Sequence, residues 1–174
     1  MINEKKCVII GIGGPSGSGK TTFATKLKGS LRQYKLVLIS MDSYFKPEEE
    51  RHRRRIKDKE HRDDNHPDSF YYDRLISDIE EHLKNGKTQV IIVEGLFTLY
   101  YEELLNLLDL SLYMQCSVEE RFARRLKRNM QYGQKFEDIA NYYLQTVRIS
   151  ETEIIEPTVV NADIWINRDR KSVV

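Results

Sequence analysis

A three-layer α/β fold, with helices on both faces of a five-stranded parallel sheet, is predicted by three observations. The chain carries five short runs rich in Val, Ile and Leu; helical patterns fill the gaps between them; and a glycine-rich turn joins the first run to the first helix. At 174 residues the chain is expected to form one domain with a proper core.

The elements follow in order. Strands are expected at 6–12, 35–40, 89–94, 110–116 and 162–167. They are nearly continuous apolar runs rather than alternating ones, which suits parallel strands covered on both faces. A first helix is expected at about 21–34. A second, at about 70–83, stops at Asn85-Gly86, a C-terminal signal that uses glycine's access to positive φ. Ser117-Val118-Glu119-Glu120 reads as a capping box opening a third helix at 118–130.

Composition narrows the partners. Lys+Arg 28 against Asp+Glu 27 leaves a net charge of +1, so nothing electrostatic argues for nucleic acid or a membrane surface. Cys7 and Cys116 fall far apart in expected strands and read as small buried groups, not as a disulfide or metal framework. The first apolar run is too short and too broken by glycine for a signal or membrane segment, so a cytoplasmic location is expected.

The chemistry starts at Gly14-Pro15-Ser16-Gly17-Ser18-Gly19-Lys20-Thr21, followed by Thr22. Placed between a strand and a helix, this is the loop that wraps nucleotide phosphates: backbone N–H groups and the positive end of a helix dipole meet a dense anion. Lys20 is expected to reach the outer phosphates, and the Thr21 hydroxyl to join the shell of a bound Mg²⁺. ATP or GTP is the expected ligand.

Acids are then sought where parallel strands end. Asp42 follows the second strand and Glu94 ends the third. Alone, either is a turn former or helix cap. Beside a phosphate loop they supply what phosphoryl transfer to an alcohol requires, a base for the hydroxyl proton (Asp42) and an acid for the metal shell (Glu94). The helix at 118–130 carries Arg121, Arg124, Arg125, Lys127 and Arg128. Arg121, Arg125 and Arg128 share a face, either as solvated surface or as a lid over the transferred group.

The order of the phosphate loop, Asp42-Ser43-Tyr44-Phe45, His66-Pro67-Asp68-Ser69-Phe70, Glu94-Gly95, the arginine helix and Asn161-Ala162-Asp163-Ile164-Trp165-Ile166 resembles the uridine kinase and phosphoribulokinase family over nearly the whole chain. The resemblance implies a P-loop kinase-type fold with an arginine lid at about 118–135 and a mobile acceptor-side segment at about 43–69. It implies ATP and Mg²⁺ as cofactors and a small-molecule nucleoside or riboside as substrate. By the same resemblance Asp42 is the general base, Lys20 and Thr21 contact phosphate and metal, and Glu94 is the metal-associated acid. Arg125 and Arg128 are lid arginines. Gly14, Ser16 to Thr22 and Arg121 are expected around the nucleotide, and Asp42, Phe45, Asp64, His66 and Arg125 at the substrate.

Departures from the family pattern bear on specificity. The hairpin with Pro-x-Tyr-Asp-Phe and a following His, which holds the pyrimidine in uridine kinases, is missing: only Lys87-Thr88-Gln89 separates Gly86 from the third strand. Asn65 stands where an acid usually binds the ribose, with Asp63 and Asp64 just before it. Phe45-Lys46-Pro47 is closer to nicotinamide riboside kinases. Residues 46–65 place Arg51, Arg53, Arg54 and Arg55 beside Glu48, Glu49 and Glu50, which reads as a short exposed helix held by i,i+4 pairs or as a flap that orders over the acceptor. No metal is assigned to His52, His61, His66 or His82. The competing reading is a non-catalytic nucleotide-binding regulatory module, although the Asn-Lys-x-Asp motif of a guanine switch is absent.

Overall fold

The computed structural model describes residues 7–56 and 58–167. Its main sheet contains β1 (Val8–Gly13), β2 (Leu36–Ser40), β5 (Val90–Glu94), β6 (Leu110–Gln115) and β7 (Ile164–Asn167), in the order β2-β5-β1-β6-β7. Every pairing is parallel. The five expected strands are these five, shifted by two residues at most; residue 6, the expected start of the first, lies outside the described residues.

Two cores form because successive side chains of a strand face opposite ways. Ile9, Ile39, Ile91 and Val93 join Leu75, Ile76 and Ile79 of α2 (Tyr72–Lys84) on one face. Ile10, Ile12, Ile92, Leu112 and Met114 pack on the other against Ala24, with Phe23, Leu27 and Leu31, from α1 (Lys20–Ser30) and its end. The short helix α3 (Glu102–Leu105) adds Leu104 to the first core. The arginine helix is α4 (Val118–Gln131), capped as expected by Ser117, whose hydroxyl accepts the Glu120 N–H at 3.4 Å. It is followed by α5 (Phe136–Tyr142) and a helical stretch reaching Asn161, broken by two wide i,i+5 turns at Tyr143–Val147 and Glu151–Ile155.

The segment between β2 and α2 differs from the short helix considered from sequence. One turn of 3₁₀ helix, Glu48–Glu50, leads into an antiparallel hairpin of β3 (Arg53–Ile56) and β4 (Lys59–Arg62). The expected i,i+4 charge pairs are replaced by cross-hairpin and long-range ones. Arg62 meets Glu48 at 2.6 Å and Asp64 at 3.0 Å, and Arg54 reaches the fully buried Asp63 at 3.0 Å. Asp63 also accepts from Ser150 at 2.8 Å, which anchors the hairpin base to the far helical stretch.

Gly14 closes β1 onto the phosphate loop with φ +128°, and a Cβ there would lie 2.6 Å from the carbonyl oxygen of Met114. Neither the backbone angle nor the neighbouring strand can accommodate a side chain. Gly14→Ala is therefore expected to destabilise the fold by about 2 kcal/mol or more, read as a lowered denaturant midpoint; an unchanged midpoint would contradict this account of the turn.

Candidate active site

A cavity of about 520 Å³ opens at the C-terminal ends of the parallel strands, lined by loop residues Ser16, Gly17 and Gly19 to Thr22 together with Asp42, Glu94, Arg124, Arg125 and Arg128. Phe45, Asp64, Asn65, Gly95 and Leu96 complete its wall. Strand ends gather here because all five strands run the same way.

The loop is built to receive an anion. Gly19 caps α1 with φ 94°, no acid occupies the helix's first turn, and the opening N–H groups of α1 have no intrahelical partner. Gly17 has φ 79° and passes so near α4 that a Cβ would stand 3.0 Å from the Arg121 carbonyl oxygen. Lys20 is buried, its Nζ donating to the Pro15 carbonyl at 2.9 Å. Burial pushes its ammonium below the ordinary lysine range, while Glu94, Asp42 and Glu151 pull it back up. The buried Ser18 Oγ and Arg125 Nε have no hydrogen-bond partner among the described residues.

Oxygen ligands for a divalent cation stand next to the loop. Thr21 Oγ1 lies 3.2 Å from both carboxylate oxygens of Glu94. Ser40 donates to Glu94 Oε1 at 2.6 Å, because the register of β2 on β5 sets Ser40 beside Glu94. Hydroxyl and carboxylate oxygens beside a phosphate-binding loop fit Mg²⁺, a hard cation that keeps several waters. Asp42 is exposed in the turn directly after β2, facing the same cavity.

Arginines cover the site from α4. Arg124 Nη1 donates to the Gly17 carbonyl at 3.1 Å, and Arg125 Nη1 reaches Ser16 Oγ at 3.3 Å. Arg128 is exposed at the rim, its Nε 3.3 Å from Asn129 Oδ1. On the opposite wall the Asp64 carboxylate is held by Arg51 at 3.1 Å and Arg62 at 3.0 Å, and its N–H donates to the Tyr142 hydroxyl at 3.1 Å. The Arg51 guanidinium lies 4.6 Å from the centre of the Phe45 ring.

Four expected site residues, Arg121, His66, Gly14 and Ser18, do not line the cavity. Arg121 does not line the cavity: it is buried, with Nη1 on Glu151, Nη2 3.2 Å from Glu156 and Nε 3.1 Å from the Cys116 carbonyl. It shares a helical stripe with Arg125 and Arg128 but sits in the first turn, where α4 is sunk between the loop and the far helical stretch. A common face does not mean a common depth. Burial raises the Glu151 carboxyl and Arg121 draws it back down. His66 is also turned away, accepting the Asp68 N–H on Nδ1 at 3.2 Å and stacking on His52 with ring centres 3.6 Å apart. His52, His66 and Asp68 offer ligand atoms within 4.8 Å of one another. His66 Nδ1, however, already accepts the Asp68 N–H. Gly14 and Ser18 belong to the loop but do not touch the cavity.

Arg124, named with the basic helix but not on its expected lid face, lines the cavity. Ser40, Tyr142 and Glu151 belong to no motif: the strand register places Ser40, and contacts between distant segments place the other two.

A family model described as the phosphoribulokinase / uridine kinase family matches residues 9–89 and 79–174. A uridine kinase from Lactobacillus helveticus (strain DPC 4571) is 32% identical over 191 residues, covering 93% of this chain and 87% of its own length. One from Macrococcus caseolyticus (strain JCSC5402) is 33% identical over 186 residues, covering 92% and 88%. The solved phosphoribulokinase from Rhodobacter spheroides superposes with a TM-score of 0.69 at 12% identity, over 94% of this chain and 71% of that one, a likeness of fold.

Proposed function

Since this chain belongs to the phosphoribulokinase / uridine kinase family and is a phosphotransferase with an alcohol group as acceptor, we propose that it moves the γ-phosphoryl group of ATP to a primary hydroxyl of a nucleoside, with uridine or cytidine as the first choice. The observation that carries this reading is the convergence of Lys20, Thr21, Glu94, Asp42, Arg124, Arg125 and Arg128 on one cavity.

The roles follow from position. Lys20 and the loop amides hold the outer phosphates, and Thr21 with Glu94 provides the oxygens for Mg²⁺. The ion, when bound, neutralises charge spread over the transferred group. Asp42 takes the proton of the attacking hydroxyl. Arg125 and Arg128, with Arg124 beside them, set positive charge over the equatorial oxygens. Asp64, fixed by two arginines, accepts hydrogen bonds from ribose hydroxyls, and Phe45 offers an apolar wall. Residues 118–135 act as the lid and 43–69 as the acceptor-side flap of a single domain. No helix among the described residues is long and apolar enough to cross a membrane.

A second acceptor has a specific observation behind it. After α2 the chain turns at Gly86, with φ 64°, and enters β5 at Val90, so there is no hairpin here to grip a pyrimidine. That favours testing nicotinamide riboside beside the pyrimidine nucleosides. ADP release by the purified protein with Mg²⁺ and ATP, alone and with uridine, cytidine, nicotinamide riboside, pantothenate or sugar phosphates, decides between them. The largest increase is expected with uridine or cytidine. No increase with any riboside would sink the proposal, and a response to nicotinamide riboside alone would move the acceptor to the second choice.

A further inference from the structure

Glu151 belongs to no motif and does not line the cavity, yet it touches the phosphate loop. Its Oε1 accepts the Ser16 N–H at 2.9 Å from 135 positions away, while Oε2 takes Nη1 of Arg121. Both side chains are nearly sealed from solvent, at 2% and 3% exposure. One carboxylate thereby ties together the loop, the first turn of α4 and the far helical stretch. Glu151 also opens one of the two wide turns in that stretch, a distortion that in helices concentrates at functional positions.

A carboxylate beside a loop that receives an anion is tolerable only if its charge is cancelled, and Arg121 cancels it. Pro15 has no N–H, and the Ser16 N–H is occupied. We propose that Glu151 is a positioning residue for the phosphate loop: it pins the Ser16 amide so that the amides presented to phosphate begin at Gly17. Through Arg121 it holds the base of α4 at the depth from which Arg124 reaches Gly17 at 3.1 Å and Arg125 reaches Ser16 at 3.3 Å. This rests on the reading of the loop as the ATP site.

The test compares wild type, Glu151→Gln and the double variant Arg121→Met/Glu151→Leu by calorimetric titration with Mg·ATP and by thermal melting without nucleotide. Glutamine retains an oxygen for the Ser16 N–H and is expected to bind ATP within about threefold of wild type. The double variant removes the ion pair without orphaning a buried charge, so it is expected to melt near wild type. It is nevertheless expected to bind Mg·ATP about tenfold more weakly, the scale of one lost hydrogen bond. Wild-type affinity in the double variant, or affinity and melting temperature falling together, overturns the proposal. If wild type itself binds no Mg·ATP, the ATP reading fails and takes this inference with it, a result distinct from any difference among variants. Should the double variant not fold, hydrogen exchange of the Ser16 amide in nucleotide-free wild type decides. Protection well above that of Gly17 supports the pin, and equal exchange overturns it.

Discussion

Lys20→Ala is expected to reduce turnover by roughly 10³-fold and to weaken Mg·ATP binding together with it. The buried ammonium sits at the loop with Glu94, Asp42 and Glu151 acting on its charge. Among the described residues its hydrogen-bond partner is the Pro15 carbonyl at 2.9 Å, which a phosphate oxygen of full negative charge outcompetes. Alanine removes that charge and leaves Glu94 and Asp42 on the cavity wall facing the incoming polyphosphate without it. Calorimetry and ADP release read the two effects separately. Normal ADP production by this variant would contradict the assignment of the loop.

Asp42→Asn is the second large effect and has the opposite signature. Asparagine retains the size and the position after β2 but cannot take a proton from the acceptor hydroxyl, so turnover is expected to fall by about 10²–10⁴-fold. Asp42 is exposed at the cavity wall and makes no contact with the loop backbone among the described hydrogen bonds. ATP affinity should therefore change little, and the loss should lie in kcat and not in the KM for ATP. Equal turnover in the variant would remove Asp42 from the mechanism; loss of ATP binding instead would make it a nucleotide-site residue.

Much of this molecule could be read locally. The five apolar runs are the five strands because a parallel strand buried on both faces must be apolar throughout. The phosphate loop, the Asn85-Gly86 stop and the Ser117 cap are signals written within a few residues. Asp64, singled out as one of two acids near the expected ribose ligand, lines the cavity, whereas its neighbour Asp63 is buried under Arg54 and Ser150. Both follow the end of β4, and only packing decides which of the two faces the cavity.

The misplacements share one cause. Arg121 and Arg125 share a stripe on a helical wheel, but Glu151 and Glu156 form their ion pairs with Arg121, in the first turn of α4. His66 is drawn to His52, which the hairpin brings alongside it. Residues 46–65 carry mixed charges that suit a short exposed helix or a flap; cross-strand pairing of 53–56 with 59–62 and the buried Asp63 make a hairpin of their middle.

By itself, then, the amino-acid order determined the fold class, the phosphate loop and the acids at the strand ends, since periodicity, glycine backbone freedom and strand termini are properties of short windows. Tertiary structure alone decided which arginines open onto the cavity, which of two neighbouring aspartates faces it, and that a glutamate 135 residues from Ser16 holds the loop. Depth and long-range pairing depend on how segments pack against each other, and no short window of sequence contains both partners.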